Sequence, residues 1–510
     1  MPPRQQFQAF KDDFFLKLSQ NNILRPWLSK FGLPTPVLLD RGTRNHFAVP
    51  PLAGCSVAVI GKQSGDSSHA HQTIKILTQL MSTKLGASVE CQENCNKVLV
   101  DATWVRSPLD VSSLALHSLR SLAARKLKHG RIVILSSYTP SDILSASLSS
   151  GLASLVRSLA KEMGGTGTTV NMVVVRVAPF TLSSQTFASI AWPLAFLLLH
   201  ESAFISGQKI TVELGAGSSG DFCAWLESLT GAANNDTSRT LSPAAEGKLL
   251  IGKTCLVTGC SRGIGAAIAT RLAAEGARVL GVDVPGACQR LTALMEEVGG
   301  TAFSQDLAEE GAERRLRDFV LAEAPAGKLD CLIHNAGVTR DRTLRRMTAE
   351  EFEQVVKVNL EAVLRINEAF GLPSHTEGGT KSQLGPVLLN PLGRIVLLSS
   401  INGIAGAFGQ TNYSFTKAAL SGYAHALATV LSTRGPPGIT INAIAPGFIE
   451  TDMTRRMPTL GKFLGRRANA LSQGGYPEDI AAATAFLCCE GSGGVSGQTL
   501  RVCGLNAVGK

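Results

Sequence analysis

Short apolar runs recur along the chain, each closed by small or polar residues and followed by a stretch in which apolar positions return every three or four residues. SVAVIG, ending at Gly61, is such a run, as are VLVDAT, ending at Thr103, and GRIVILSS at 130–137. Further on come TCLVTG, ending at Gly259, LIHNAG, ending at Gly337, and GRIVLLSS at 393–400. Unbroken apolar runs of this length suit strands buried on both faces, and segments such as GLASLVRSLA and AAIATRLAAEG have a helical period. Their alternation predicts βαβ units around a parallel sheet.

The runs form two matching sets. Thr169, Val170 and Asn171 answer Thr440, Ile441 and Asn442, and IAWPLAFLLLHESAFISGQ at 190–208 aligns without a gap on IAAATAFLCCEGSGGVSGQ at 480–498. Self-similarity over such a length marks a duplication. The fold class is therefore α/β twice over: a doubly wound Rossmann-type parallel sheet in the C-terminal copy, preceded by a trimmed, degenerate flavodoxin- or Rossmann-like α/β domain. Gly61 to Asp101 spans 40 residues where Gly259 to Asn335 spans 76, and the next interval to the GRIV strand is 29 against 58. Roughly a βα unit is expected to be missing from the first interval and a helical segment from the second. The organisation read from this is an N-terminal helical arm at 1–50, a non-catalytic domain at 51–230, a polar linker at 231–247 and a catalytic domain at 248–510.

Composition narrows the classes. A chain of 510 residues exceeds one ordinary core, and 44% apolar with 17% charged residues is far from the signature of disorder. The net charge of +10 is diffuse, which suits anionic small molecules or acidic partners and not nucleic-acid reading. Eleven scattered cysteines without CxxC or Cys/His spacing support neither a disulfide framework nor a metal site, and fit a reducing, cytoplasmic compartment. The N-terminus carries Asp12 and Asp13 and no apolar core of a signal sequence. The strongest apolar run, at 190–199, is about half the roughly 20 residues needed to cross a bilayer, so no membrane segment is predicted.

The second copy carries chemistry. After the strand TCLV, the loop TGCSRGIG opens directly into a helical segment. Gly259, Gly263 and Gly265, with Ser261, Arg262 and Ile264 between them, would let main-chain N–H groups approach a pyrophosphate at a helix N-terminus. Asp283 closes the next strand, where a carboxylate accepts hydrogen bonds from the ribose hydroxyls of NAD and repels the extra phosphate of NADP. Arg262 pulls the other way, since its guanidinium could pair with that phosphate; NAD(H) is favoured, and NADP(H) stays open. Tyr413 and Lys417, four apart, share a helix face, and a nearby ammonium together with a nicotinamide cation would lower a phenol from about 10 toward the working range.

Asn335–Ala336–Gly337, Asn359, Ser400, Tyr413 with Lys417, and Pro446–Gly447 follow the glycine loop in order, and in this the region 248–510 resembles the short-chain dehydrogenase/reductase family. The resemblance implies that Ser400 holds a substrate carbonyl oxygen and Tyr413 donates the proton. It implies further that Lys417 binds the nicotinamide ribose and tunes Tyr413, and that Asn359 holds a water of the proton relay. Pro446 and Gly447 would wall the nicotinamide, Ile449 and Thr451 touch its carboxamide, and Asp306 with Leu307 meet the adenine side. SRGIG, GQTNYSFTK and APGFIETDM are most similar to the 3-oxoacyl-ACP reductases, and the two-part layout to their high-molecular-weight form. That implies a homodimer or homotetramer built through the reductase domain, acting on acyl-CoA or acyl carrier protein thioesters in fatty acid metabolism. Competing readings are a dehydrogenase of another secondary alcohol and a non-catalytic NAD-binding scaffold or sensor. The insertion at 371–390 departs from the pattern. In the segment 452–472, where the family places its substrate lid, Arg455, Arg456, Lys462, Arg466 and Arg467 could attract the phosphates of CoA or an acidic carrier protein.

The first copy lacks this chemistry. Its loop reads GKQSGDS, with Asp66 where a phosphate needs donors, and alignment of the following helix sets Ser145 and Ser149 opposite Tyr413 and Lys417. Ser137 survives opposite Ser400, with no catalytic role expected.

Overall fold

The computed structural model describes residues 13–22, 24–30, 35–41, 47, 50–61, 68–89, 95–125, 127–176, 184–214, 248–373, 386–436, 438–455 and 457–506. These divide into two compact units. One lies within Met1–Gly247 together with Gly447–Asp479 and Val502–Ala507, the other within Lys248–Pro446 and Ile480–Arg501. The sequence expectations at 1–12, 62–67, 231–247 and for most of the 371–390 insertion fall outside the described residues.

The first unit holds six strands: β1 (Ser56–Ile60), β2 (Ser88–Val89), β3 (Lys97–Asp101), β4 (Arg131–Tyr138), β5 (Thr169–Arg176) and β6 (Lys209–Glu213). They pair in parallel in the order β2-β1-β3-β4-β5-β6. β4 and β5 are buried through their first seven residues, as expected of strands covered on both faces. The apolar run at 190–199 is the end of the helix Ser184–Leu198, which packs on β4 and β5; Trp192 and Phe196 are fully buried there, with the Phe47 ring edge-on to Trp192 at 4.9 Å. By length and composition alone, one helix among the described residues, Ile143–Thr166, is apolar enough to cross a membrane. Its Leu152, Val156 and Leu159 are packed into this unit's core.

The second unit holds β7 (Thr254–Thr258), β8 (Arg278–Asp283), β9 (Thr301–Ser304), β10 (Leu329–His334), β11 (Leu389–Leu398), β12 (Thr440–Pro446) and β13 (Thr499–Val502), in the order β13-β12-β11-β10-β7-β8-β9. Counted from β7, this is the Rossmann order, with the strand order reversing between β7 and β10; a crevice at the carboxyl ends of the strands lies at that point. The first unit reverses likewise between β1 and β3, and has no counterpart of β9 among its described residues.

The second interval differs from the expectation of a missing helical segment. The helix is present in both copies. Ser107 and Thr348 each cap it in a capping box, with Asp110 and Glu351. Each helix then passes through a π turn, Leu114–Leu119 or Lys357–Glu361, and the buried Leu114, Ser118 and Leu122 stand 241 positions before the buried Val355, Asn359 and Val363. The shortfall lies in the connections instead: Asp101 to Ser107 is 6 residues where Asn335 to Thr348 is 13. Loop length costs little free energy, so connections are where a copy shortens without losing its core.

The arginine of the repeated GRIV performs one task in both units. Arg394 is fully buried and donates to the carbonyls of Leu392, Gly393, Gly438, Cys489 and Glu490. Arg131 donates to those of His129, Gly130, Gly167, Leu199 and Asp40. Burial pushes the Arg131 guanidinium down to about 10, still charged at neutral pH. Asn171 and Asn442 are a second matched pair: each amide bridges from its strand to a carbonyl, Ile205 or Val495, and accepts from a main-chain N–H, Gln208 or Gln498. Five donors in a rigid fork suit a guanidinium to tying strand starts, turns and helix ends together where water is excluded.

Candidate functional site

The glycine loop leaves β7 and enters the helix Gly263–Ala274. Gly259 has φ +66, and a Cβ there would stand 2.7 Å from the Ala336 Cα; a Cβ on Gly265 would overlap the Gly259 carbonyl. Only glycine permits this closeness. The helix has no side-chain cap, so its first N–H groups are open to an anion, which fits the pyrophosphate of a dinucleotide. Ser261 donates its N–H to the Asp283 carboxylate at 2.9 Å, and Val284 donates to the other oxygen at 2.8 Å. Asp283 is thereby fixed beside the loop, while the Arg262 side chain is exposed. Burial, with the Asp283 charge adding to it, pushes the Cys260 thiol up to about 12.

Asn335 donates its side-chain amide to the carbonyls of Thr258 and Gly259, and the N–H groups of Asn335 and Ala336 both donate to the Thr258 hydroxyl. Thr258 therefore locks the Asn335–Ala336–Gly337 strand end to the loop, a role that sequence reasoning missed, though this threonine opens the quoted motif. A Cβ on Gly337 would lie 3.3 Å from both the Asn359 Oδ1 and the Lys417 Nζ. Asn359 is fully buried in its π turn; it accepts from the Val338 N–H and donates to the Val338 carbonyl and the Thr416 hydroxyl.

Ser400 closes the strand region of β11 and accepts from the Asn402 N–H at the start of the helix Ile401–Ala405. Tyr413 and Lys417 lie on the helix Thr411–Arg434, with the ammonium 5.7 Å from the phenol ring centre. Lys417 donates to the Leu398 carbonyl at 2.6 Å, and burial alone pulls it down to about 8. Burial raises Tyr413, a hydrogen bond to Ser400 opposes that rise, and Asp341 adds to it. Two further supports are invisible to sequence reasoning because nothing local marks them. Ser399 accepts from Ser421 and donates to the Lys417 carbonyl, and Asn412 donates to the carbonyls of Arg340 and Glu351.

Asp306 spends a carboxylate oxygen on the Ala308 N–H. The Leu307 side chain is in the core of the second unit, and its main-chain carbonyl accepts from Arg365. Pro446 ends β12. Gly447, Ile449 and Thr451 belong to the first unit, where Gly447 donates to the Val502 carbonyl and Ile449 is buried at a bridge with Gly475. Two of the arginines expected to meet phosphates are engaged elsewhere. Arg466 forms a buried pair with Glu450 at 2.6 Å and Arg467 one with Asp13 at 2.6 Å. Arg455 pairs with Asp452 while staying half-exposed, Lys462 is partly exposed, and Arg456 is outside the described residues.

A Rossmann-ordered sheet with a glycine loop at its switch point, and a Tyr–Lys pair with its lysine buried in the same unit, define a nicotinamide-dependent oxidoreductase. Residues 259–504 match the family model described as enoyl-(acyl carrier protein) reductase. The chain is 37% identical over 267 residues to the 3-oxoacyl-(acyl-carrier-protein) reductase FabG of Escherichia coli, covering 50% of this chain and 96% of that one. It is 36% identical over 263 residues to the FabG of Aquifex aeolicus, covering 50% and 97%. A solved short-chain dehydrogenase/reductase mutant of Serratia marcescens is 29% identical with a TM-score of 0.44, covering 50% of this chain and 98% of that one. The chain belongs to the short-chain dehydrogenase/reductase family.

Proposed function

We propose that the protein reduces 3-oxoacyl thioesters, on CoA or acyl carrier protein, to 3-hydroxyacyl thioesters with NADH. The carrying observation is that Ser400, closing the strand region of β11, and Tyr413 and Lys417, on the helix Thr411–Arg434, lie in one unit with Asn359; Ser400, Lys417 and Asn359 are buried, and two hydroxyls can meet one carbonyl oxygen. A bound nicotinamide supplies the hydride that reaches the substrate C3. Ser400 holds the carbonyl oxygen and Tyr413 gives it the phenolic proton, so that the C=O π bond becomes a C–H and an O–H bond. Lys417, charged, stabilises the tyrosinate left behind and helps return its proton. Asn359, fixed by its bonds to Val338 and Thr416, keeps one acceptor site on its side-chain oxygen for a water of the proton relay. The glycine loop and the helix start at Gly263 take the pyrophosphate. Asp283, held by two N–H donors, accepts from the adenosine ribose hydroxyls and disfavours a 2′-phosphate, which supports NADH over NADPH. Tyr413 and Lys417 also bound the nicotinamide ribose side, and Asn335, Ala336, Gly337 and Pro446 of the same unit shape its surroundings.

The names of the relatives favour a ketone substrate; that of the family model favours an enoyl one. Steady-state rates with acetoacetyl-CoA and crotonoyl-CoA, each with NADH and NADPH, separate them. Turnover of acetoacetyl-CoA with NADH is expected. Turnover of crotonoyl-CoA alone, or of ketones that are not thioesters alone, would overturn the reading.

A further inference from the structure

Three elements of the second unit meet at Gly337, where an added Cβ would stand 3.3 Å from both the Asn359 Oδ1 and the Lys417 Nζ. The same three elements are joined a second time, by residues that the chemistry above does not use. His334 ends β10, three residues before Gly337, and its Nε2 is 2.9 Å from the Asn367 Oδ1. Asn367, on the helix Ala362–Ala369 that continues the π turn of Asn359, donates its amide to the Tyr423 hydroxyl at 3.0 Å. Tyr423 lies on the helix Thr411–Arg434, six residues after Lys417. Because the Asn367 nitrogen is spent on Tyr423, its oxygen faces the imidazole, and the His334 Nε2 is the donor. Burial pulls His334 down to about 4, so the ring is neutral, and burial pushes Tyr423 up to about 12. Asn367 is fully buried, and His334 nearly so.

The first copy keeps the folding framework and not this chain. His334 pairs in register with Leu397, and at the matched place Val100 pairs with Ile134. The alignment that sets Ser149 opposite Lys417 sets Leu155 opposite Tyr423. Val100 is in that unit's core and Leu155 packs against it; the position answering Asn367, 126, is outside the described residues. Polar partners thus occupy these positions in the copy with the catalytic set and apolar ones in the copy without it, whereas the buried arginine and asparagine of the sheet are kept in both.

We infer that His334, Asn367 and Tyr423 are positioning residues for the nicotinamide and the proton transfer: their chain sets the strand end Asn335–Gly337 against the two helices that carry Asn359 and Lys417. The inference rests on the reading above that those residues hold the nicotinamide and move the proton. A hydrogen-bonded chain in a water-excluded place has one good geometry, while apolar side chains there would let the three elements shift slightly against one another. With contacts as close as those around Gly337, such a shift reaches the reacting group.

In the full chain, the triple variant His334→Leu with Asn367→Leu and Tyr423→Phe removes the whole chain and leaves none of its polar groups unpaired, so its urea midpoint is expected to match that of the wild type. With the fold intact, kcat is expected to fall about tenfold while KM for the ketone stays within about twofold. The NADH dissociation constant, read by fluorescence titration, is expected to rise about fivefold. A merely structural network would move the unfolding midpoint and neither of these. Tyr423→Phe alone, the mildest loss, is expected to lower kcat about threefold and decides the matter if the triple variant does not fold. A fall in kcat or weaker NADH binding in a folded variant upholds the inference, and both unchanged overturns it. If the wild type reduces no 3-oxoacyl thioester, the function proposed above fails, and the comparison is made on whichever ketone it reduces. If it reduces none, NADH binding alone decides: a raised constant in the variants upholds the positioning role and an unchanged one overturns it.

Discussion

The two copies share their buried polar framework and differ where strands meet ligand. Arg131 repeats the carbonyl set of Arg394 except that Asp40 takes the place of the residue answering Glu490, Asn171 repeats the two bonds of Asn442, and the capped helix with its π turn is present twice. At the carboxyl ends the copies part. Lys417 reaches the Leu398 carbonyl, whereas Ser149, at the matched buried position, has no hydrogen-bond partner for its hydroxyl. Asp101, which answers Asn335, is fully buried; one carboxylate oxygen takes the Thr103 N–H and hydroxyl while the other has no partner, and burial raises its pKa. Losing a catalytic group costs a fold little; losing a buried group that satisfies five carbonyls costs it a core. The duplication thus separates what folds this sheet from what gives it chemistry.

The largest expected effect tests the chemical half of that contrast. Tyr413→Phe should lower kcat for ketone reduction by about 10²–10⁴-fold with NADH binding retained. Ser145→Ala, at the matched position, should leave kcat unchanged. A kcat drop from Ser145→Ala, or a Tyr413→Phe enzyme of ordinary rate, would break the assignment of chemistry to one copy.

The structural half predicts equality. Arg131→Met and Arg394→Met each strand several buried carbonyls, and each should cost about 3 kcal/mol or more in urea-induced unfolding. Each loss should appear in the transition of its own unit. A loss confined to Arg394→Met would show the first sheet to be held by other means.

Much of this is legible in the sequence because it is local. Strand ends, the glycine loop and the four-residue spacing of Tyr413 and Lys417 are carried by neighbours in the chain, and the structure sets them as read. The repeated GRIV announces a duplication but not its reason, since the arginine's partners lie up to 96 positions away. Arg467 reads as a cation for phosphates because its partner, Asp13, is 454 positions distant. The count of residues gives the size of the first copy's shortening and misplaces it, because spacing between strands cannot tell a lost helix from a lost connection.

A moderate effect follows from the ammonium that only the second copy keeps. Reduction needs Tyr413 protonated and Lys417 charged, both acid forms, so the rate is present below their folded pKa values and lost above them. With Lys417 near 8 and Tyr413 raised, kcat/KM should decline above about pH 8. Lys417→Arg, charged throughout, should move that decline upward even as it lowers the rate. A profile flat to pH 10 in the wild type would detach Lys417 from the proton transfer.

The smallest effect is the most pointed, because it concerns the vacated position itself. Ser149 is 3% exposed and its hydroxyl meets no acceptor, whereas the helix around it, from Leu152 to Met163, is packed in the same register as Leu420 to Leu431 around Lys417. A buried hydroxyl without a partner is a net cost, and alanine removes it with only a small loss of volume. Ser149→Ala should therefore leave the stability of the first unit unchanged or raise it by up to about 1 kcal/mol, measured by urea unfolding. Destabilisation beyond about 1 kcal/mol would mean that the hydroxyl has a partner such as a bound water. In that case the first copy would have replaced its lost ammonium and not merely dropped it.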